Sequence, residues 1–162
     1  MLRIDNTQSM FSEQWGKIME INTFLNHNDK DTPNILLVKK LYEALNNGER
    51  YAITEILSEN PTWNVCPGIP HGGVYYGMNE VFGTFYRALI EIYGTFRADG
   101  EAFIDGGDVV VVLGFYVFKA RKEKENVRIR FSHTWKVSTD NRIEGVWQVC
   151  DSYEMRKYLE TK

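Results

Sequence analysis

The chain has few of the residues that hold small extracellular domains together or that span membranes. It contains only two cysteines and four prolines in 162 residues. Cys66 and Cys150 cannot scaffold a domain of this length and show no C-x-x-C spacing, so we expect reduced thiols. No run approaches the roughly 18 apolar residues of a membrane span, and residues 1–10 do not resemble a signal peptide. The composition therefore predicts a cytoplasmic protein with no membrane partner.

An excess of positive charge is also missing. The chain has 19 Lys and Arg against 22 Asp and Glu, a net charge of −3. Without an electrostatic attraction to phosphate backbones, nucleic acid is not expected as a partner. The pair Gly72-Gly73 is not followed by the Lys-Ser or Lys-Thr of a phosphate-binding loop, and no spacing indicates zinc ligands. We expect neither a cofactor nor a metal.

Aromatic residues are abundant. Four Trp, nine Tyr and nine Phe accompany an ordinary 43% of hydrophobic and 25% of charged residues. A chain of this length fits one domain with a real core. Bulky flat side chains suit either a thick core or the wall of an apolar pocket.

Helical periodicity dominates the first part of the chain. Apolar residues at helical spacing predict an amphipathic helix over residues 10–25. Thr32-Pro33 predicts the start of a second helix, which ends at Asn47-Gly48. A short helix over 50–57 and a long one over 81–93 follow. We divide the chain into a helical extension (1–33), one domain (34–156) and a tail (157–162).

Strand signals dominate the second part. Short extended segments over 62–66 and 74–76 precede four longer ones over 95–104, 109–120, 127–137 and 142–153, joined by turn-rich connections. Helices followed by a meander of strands predict an α+β fold. We expect the helices to pack on one face of a strongly curved, cone-shaped antiparallel or mixed sheet.

The inward face of the sheet predicts a candidate site. Strand alternation places His133 on the apolar face of its strand. Asp151 shares its parity with Trp147 and Ile143 in the last strand. Pairing Val137 with Ile143 turns these side chains to the face of His133, whereas a shift of one residue turns Asp151 away. We prefer the first register because it buries Trp147.

This register predicts acid–base chemistry. Burial raises the pKa of a carboxylate towards the range of a general acid or base, and an imidazole can donate to a carbonyl oxygen that gains charge. Asp151 and His133 would then act as catalytic residues on a small apolar carbonyl compound. The alternatives are a pocket that binds a ligand without chemistry, a domain that serves association alone, and a structural histidine beside an aspartate that caps a loop. Candidate ligand-binding residues are Tyr42, Trp63, Tyr76, Phe82, Phe85, Tyr86, Phe115, Trp135 and Trp147.

Three short motifs carry a resemblance to a known family. They are Tyr75-Tyr76-Gly77 before the long helix, the F-x-H-x-W pattern of Phe131 to Trp135, and Asp151 near the end of the last strand. With the order of elements over residues 36–153, the chain resembles the SnoaL-like branch of the nuclear transport factor 2 superfamily, which includes the ketosteroid isomerases. The resemblance implies the cone-shaped fold, an apolar pocket and a homodimer formed through the open sheet face.

The ketosteroid isomerases match this sequence only in part. Their oxyanion-hole acid falls on the strand position of His133. Their base does not carry over, because Cys66 occupies the position of the aspartate. Their helix tyrosine falls nearest Leu41 rather than Tyr42. The resemblance therefore does not imply isomerase activity.

Two other branches can be compared at the last strands. The limonene-epoxide-hydrolase-like members need an arginine flanked by aspartates, where this chain has Arg128, Arg130 and Ser132. The SnoaL-like polyketide cyclases use an aspartate of the last strand, and Asp151 matches it, with His133 in the same pocket. The resemblance thus implies cyclase-like chemistry, or ligand binding alone.

Overall fold

The structure is a computed structural model and describes residues 31–119 and 126–159. The predicted helix over residues 10–25, like nearly all of the predicted extension 1–33, lies outside the described residues. In the part of the chain that is described, no helix is long and apolar enough to cross a membrane.

Helix α1 spans Pro33–Asn47 and begins and ends where the sequence predicts. The Thr32 hydroxyl accepts a hydrogen bond from the backbone N–H of Ile35 at 3.3 Å, which satisfies one of the free donors of the first turn. Gly48, with φ of 69°, closes the other end in the left-handed conformation. A short helix, α2, follows over Arg50–Ile56.

Six strands form one mixed sheet. They are β1 (Leu57–Val65), β2 (Gly73–Tyr76), β3 (Phe96–Asp105), β4 (Val109–Phe118), β5 (Val127–Val137) and β6 (Ile143–Cys150). Their order in the sheet is β2-β1-β6-β5-β4-β3. Strands β1 and β6 pair in parallel, and the other neighbours pair antiparallel. The α+β class, the curved mixed sheet and the meander over the last four strands are confirmed.

Both ends of helix α1 are hydrogen-bonded to the β3 edge of the sheet. Near its start, Asn34 Nδ2 donates to the Gly107 carbonyl at 2.7 Å, in the turn between β3 and β4. Near its end, Asn46 Nδ2 donates to the Ala98 carbonyl of β3 at 2.9 Å. These contacts fix the helix across the inner face of the sheet and hold Tyr42 in a buried position.

A continuous helix over residues 77–93 joins β2 to β3. It consists of α3 (Gly77–Glu80), a π-helical segment (Val81–Tyr86) and α4 (Arg87–Tyr93). The wider turns of the π-helical segment are rare and are frequently found at functional sites. Its buried side chains recur every fourth residue and close the inner layer of the fold; they are Val81, Phe85, Leu89 and Tyr93.

The core lies between this helix layer and the inner face of the sheet. At its centre, the rings of Trp63 on β1 and Trp135 on β5 meet edge to face, with centroids 5.3 Å apart. Such pairs add about 0.5–1.5 kcal/mol to the stabilisation from burial. The two tryptophans thus connect β1 and β5, the strands on either side of β6.

The pairing of β5 with β6 departs from the predicted register at one residue. Val137 pairs with Ile143 as expected, but Lys136 pairs with Gly145. Glu144 is therefore the extra residue of a β-bulge. Because side chains alternate along a strand, one extra residue reverses the two faces of the rest of β6.

The bulge changes which residue faces His133. Gln148 is the partner of His133 and is buried, with 5% of its surface exposed. Trp147 lies on the outer face and is 60% exposed. The prediction that Trp147 points into the core is therefore wrong.

The chain beyond β6 also differs from the prediction. Asp151 is exposed and follows the strand, where it caps helix α5 (Ser152–Lys157). Its carboxylate accepts from the backbone N–H of Glu154 at 3.1 Å. The predicted strand over 142–153 ends at Cys150 because this cap starts a helix. Asp151 does not share a face with His133, so its predicted place in the pocket is wrong.

Candidate ligand-binding site

A cavity of about 80 Å³ lies between the inner face of the sheet and the helix layer. Its wall is mostly apolar and aromatic, and its polar end is built from β4, β5 and β6. A cavity of this size holds a few water molecules or a compact ligand. The lining residues are Tyr42, Leu45, Asn46, Ile69, Phe85, Tyr86, Leu89, Ile90, Phe96, Arg97, Ala98, Tyr116, His133 and Gln148.

His133 is the centre of the polar end. It is 2% exposed, and its ring stacks on Phe131 with centroids 3.9 Å apart. Both ring nitrogens are engaged: Nδ1 lies 2.6 Å from the hydroxyl of Tyr42, and Nε2 lies 2.6 Å from the hydroxyl of Tyr116. The strand parity that places His133 inward is thus correct, and its partners come from α1 and β4.

The protons of this cluster can be placed in two ways, which differ in the tautomer of His133. We assign the Tyr42 proton to the contact with His133 Nδ1, because Trp135 Nε1 already donates to the Tyr42 oxygen at 3.1 Å and makes its hydroxyl the stronger donor. A neutral imidazole then carries its proton on Nε2 and donates it to the Tyr116 oxygen. No side chain or backbone group over residues 31–119 and 126–159 then accepts the Tyr116 hydroxyl proton, which can donate into the cavity that this residue lines.

Burial keeps the whole cluster uncharged. It lowers the pKa of His133 to about 3 because an imidazolium would lose its hydration. Burial likewise raises the pKa of Tyr42 and of Tyr116 well above the usual value for tyrosine. At neutral pH the polar end therefore holds a neutral imidazole between two protonated phenols.

Gln148 adds an unsatisfied acceptor beside this cluster. Its buried Oε1 atom has no hydrogen-bond partner in the part of the chain that the structure describes, and the residue lines the cavity. A buried carbonyl oxygen without a donor costs about 1–3 kcal/mol. A donor on a bound molecule would remove that cost.

Four of the predicted site residues lie together at the cavity. Tyr42, Phe85, Tyr86 and His133 all line it. The predicted residues Trp63 and Trp135 are buried behind this lining, and Trp135 acts through its hydrogen bond to Tyr42.

The remaining predicted residues lie elsewhere. Tyr76 is 65% exposed because it lies on the outward face of edge strand β2, where exposed and half-buried residues alternate. Phe115 is on the outer face of β4, where the Arg128 guanidinium lies 4.3 Å from its ring centroid. Phe82 is half-buried and lines an outer groove rather than the cavity. Together with Trp147 and Asp151, these residues correct the predicted site.

Two residues of the polar end were missed by the sequence analysis. Tyr116 carries the only side-chain hydroxyl on the buried face of β4, and strand parity with Val112 would have placed it inward. The inward position of Gln148 depends on the β-bulge at Glu144, which strand alternation alone does not predict. The resemblance had also placed the family's helix tyrosine nearest Leu41, whereas Tyr42 is the residue that contacts His133.

The described lining lacks a carboxylate. Its only permanently charged member is Arg97, whose exposed guanidinium pairs with Asp99 at 2.7 Å. Over residues 31–119 and 126–159, His, Cys, Asp and Glu side chains form no group of three that could hold a metal ion. The polar end at His133, Tyr116 and Gln148 offers hydrogen bonds from uncharged groups.

The architecture defines the class of protein. A sheet of this order, closed on one face by α1 and the helix over 77–93, is the nuclear transport factor 2-like, or cystatin-like, fold. The family model described as a SnoaL-like domain matches residues 38–146. The chain belongs to this SnoaL-like family.

Solved structures agree with the fold. A nuclear transport factor 2-like protein of unknown function from Burkholderia pseudomallei has a TM-score of 0.71 at 23% identity, over 80% of this chain and 99% of that one. TerC, co-crystallised with polyporic acid, has a TM-score of 0.70 at 20% identity, over 80% and 100%. IdmH from Streptomyces antibioticus, a candidate polyketide cyclase, has a TM-score of 0.63 at 16% identity, over 78% and 97%. Comparison with curated proteins gives no match.

Proposed function

We propose that this protein binds a small, mostly apolar molecule through a carbonyl oxygen at the polar end of the cavity. The observation that carries the proposal is the hydrogen-bonded series Trp135, Tyr42, His133 and Tyr116. In the assigned arrangement each member accepts a hydrogen bond from the previous one, so among the described residues the Tyr116 hydroxyl is a donor without an acceptor. Because hydrogen bonds in a chain polarise one another, this donor is stronger than an isolated phenol.

Gln148 narrows the class of ligand further. Its buried Oε1 calls for a donor on the bound molecule, such as the hydroxyl group of a hydroxyketone. The neutral surroundings favour an uncharged ligand, since a buried charge without an opposite charge is strongly unfavourable. A neutral hydroxyketone or enol therefore fits the polar end best.

A larger ligand could extend beyond the cavity. Leu45, Tyr86 and Ile90 line both the cavity and an outer groove of about 750 Å³ between α2 and the helix over 77–93. The groove falls in the range of sites for drug-sized molecules, whereas the cavity does not. TerC, co-crystallised with polyporic acid, and IdmH, a candidate polyketide cyclase, share only the fold with this chain. Both descriptions are consistent with an oxygen-bearing organic ligand.

Cyclopentanone is a suitable first probe for the cavity. We expect its titration into the ¹⁵N-labelled protein to shift the Gln148 side-chain amide and the Trp135 indole signals saturably. Methylenecyclopentane, which replaces the carbonyl oxygen with a carbon, should bind more weakly. Identical behaviour of the two compounds, or shifts confined to the outer groove, would contradict the proposal.

Catalysis is the second candidate function. A phenol that donates to a carbonyl oxygen also stabilises the enolate formed when an α-proton leaves. The described lining offers no carboxylate to remove that proton, so binding ranks first. Exchange of the α-protons of cyclopentanone in D₂O separates the two candidates: an enzyme accelerates exchange and loses the acceleration in Tyr116→Phe, whereas a binding protein leaves the solution rate unchanged.

We also propose a homodimer through the outer face of the sheet. Trp147 and Val149 of β6 are 60% and 45% exposed on this face, and the half-buried Phe115 lies on the same face two strands away, on β4. Clustered apolar side chains of this kind mark interaction surfaces, and a second copy of the chain can pair the same patch about a two-fold axis.

Sedimentation tests this assembly. We expect a dimer that Trp147→Glu converts to a folded monomer. Tyr51→Glu, on exposed α2, is the matched control and should leave the dimer intact. A monomer over the whole concentration range of the unmodified protein would contradict the proposal.

A further inference from the structure

The two cysteines meet at one end of the sheet. Cys66 follows the last residue of β1, and Cys150 ends β6, the parallel neighbour of β1. Their Sγ atoms lie 3.6 Å apart, and both residues are half-buried. A chain separation of 84 residues thus becomes a direct thiol contact.

The surroundings of the pair make the two sulfurs unequal. The Cys150 thiol and the backbone N–H groups of Cys150, Gly68 and Ile69 all direct hydrogen bonds to Cys66, and together they lower the pKa of Cys66 to about 6. The hydrogen bond to Cys66 and burial raise the pKa of Cys150. Cys66 is therefore the more acidic thiol, facing several hydrogen-bond donors, and Cys150 is the less acidic thiol beside it.

We propose that Cys66 and Cys150 form a reversible oxidation site that a hydroperoxide converts to an intramolecular disulfide. The geometry carries this proposal, because the sulfurs already touch and the bond requires them to approach by about 1.6 Å, to the usual S–S length near 2.05 Å. Cys66 is the attacking sulfur, and Cys150 resolves the product.

The reaction has two balanced steps. The Cys66 thiolate attacks one peroxide oxygen, the O–O bond breaks, and the products are a Cys66 sulfenic acid and hydroxide or alkoxide. The Cys150 sulfur then attacks the Cys66 sulfur, the S–O bond breaks, and the Cys150 proton leaves with the hydroxyl group as water. The two thiols supply the two electrons that reduce the peroxide, and an external dithiol returns them.

The location links this site to the cavity. Ile69, which donates to Cys66, lines the cavity, and so does Gln148, two residues before Cys150. The loop that carries Ile69 packs closely: a side chain on Gly68 would meet the Ser152 hydroxyl at 2.5 Å. Closing the disulfide would pull this loop and the end of β6 together at the cavity wall.

Mass spectrometry of the full chain after hydrogen peroxide treatment tests the proposal. We expect the loss of both free thiols, a mass decrease of two hydrogens, and one crosslinked peptide pair containing Cys66 and Cys150, independent of protein concentration. Dithiothreitol should reverse all three. Disulfides only between chains, or further oxidation of both sulfurs without a crosslink, would overturn the proposal.

Single variants assign the roles of the two sulfurs. In Cys150→Ser, dimedone should trap a sulfenic acid on Cys66, whereas Cys66→Ser should react with peroxide at least about tenfold more slowly than the unmodified protein. Equal rates for the two variants would overturn the assignment. The pH dependence of iodoacetamide labelling of the unmodified protein checks the same point without a variant, with Cys66 reacting from a midpoint near pH 6.

Discussion

Gln148 lies directly opposite His133 in the β5–β6 ladder, and both side chains are buried. An amide and a neutral imidazole therefore share the inner face of the hairpin, where a carboxylate would have indicated acid–base chemistry. Tyr116 completes this polar end through its contact with His133. The arrangement is suited to recognising a neutral oxygen-bearing molecule.

The phenol partners of His133 should differ in their contribution to stability. Tyr116→Phe leaves one buried group, the Nε2–H of His133, without a partner, at a cost of about 1–3 kcal/mol in the free energy of unfolding. Tyr42→Phe strands both His133 Nδ1 and Trp135 Nε1, so it should cost more. Urea unfolding measures both values. Tyr51→Phe, at an exposed hydroxyl, is the control; a loss no larger for Tyr42→Phe than for this control would contradict the network.

The depressed pKa of His133 predicts a pH dependence of stability. The unfolded chain binds a proton at His133 below about pH 6.5, whereas the folded chain does so only near pH 3, so acid favours unfolding throughout that window. The free energy of unfolding should be about 2 kcal/mol lower at pH 5 than at pH 7.5.

His133→Gln should remove most of this dependence between pH 7.5 and pH 5. His71→Gln, at an exposed histidine, is the matched control and should retain it. Chemical denaturation at a series of pH values makes the comparison. An unchanged slope in His133→Gln would show that His133 is not the group responsible.

The sequence predicts regular elements well because their signals are local. Thr32-Pro33 and Gly48 carry the cap chemistry of α1, and strict alternation reproduces the bounds of β5. The parallel pairing of β1 with β6 depends on contacts between residues more than 80 positions apart, such as Asn64 with Trp147. No local sequence pattern encodes this pairing.

The site is harder to predict because one bulge decides it. Moving a single residue, Glu144, out of register exchanges Trp147 for Gln148 on the inner face. Hydrophobicity argued for the other choice, since burying a tryptophan is ordinarily favourable. The one available signal was Gly145, because glycine inside a strand often marks a bulge or a close backbone approach.

Deleting Glu144 tests the importance of the bulge. Without this residue, the regular register would turn Trp147 inward and Gln148 outward, so we expect loss of cooperative unfolding by circular dichroism. Glu144→Ala keeps the residue count and alters only an exposed side chain, so its stability should stay within about 0.5 kcal/mol. A deletion variant as stable as Glu144→Ala would contradict the register.

Two glycines should respond in opposite directions to alanine. At Gly114 on β4, an added Cβ would lie 2.1 Å from the backbone oxygen of Asp99, so Gly114→Ala should distort the β3–β4 pair and destabilise the fold by at least about 1–3 kcal/mol. At Gly83, in the helix over 77–93, an added Cβ would have no atom of the described residues within 4 Å outside its own helix backbone and chain neighbours. Gly83→Ala should stabilise by about 0.5–1 kcal/mol. Thermal unfolding of both variants gives the comparison, and equal effects would contradict the packing.

The most direct test of the central claim is the preference of the cavity for cyclopentanone over methylenecyclopentane, measured by calorimetric titration in three proteins. The unmodified protein should prefer the ketone up to about tenfold, the value of one net hydrogen bond. Tyr116→Phe should abolish this preference, while Tyr86→Phe, which removes another hydroxyl from the lining, should retain it. A preference that survives in Tyr116→Phe, or that is absent from the unmodified protein, would contradict the claim that the Tyr116 hydroxyl recognises a carbonyl oxygen.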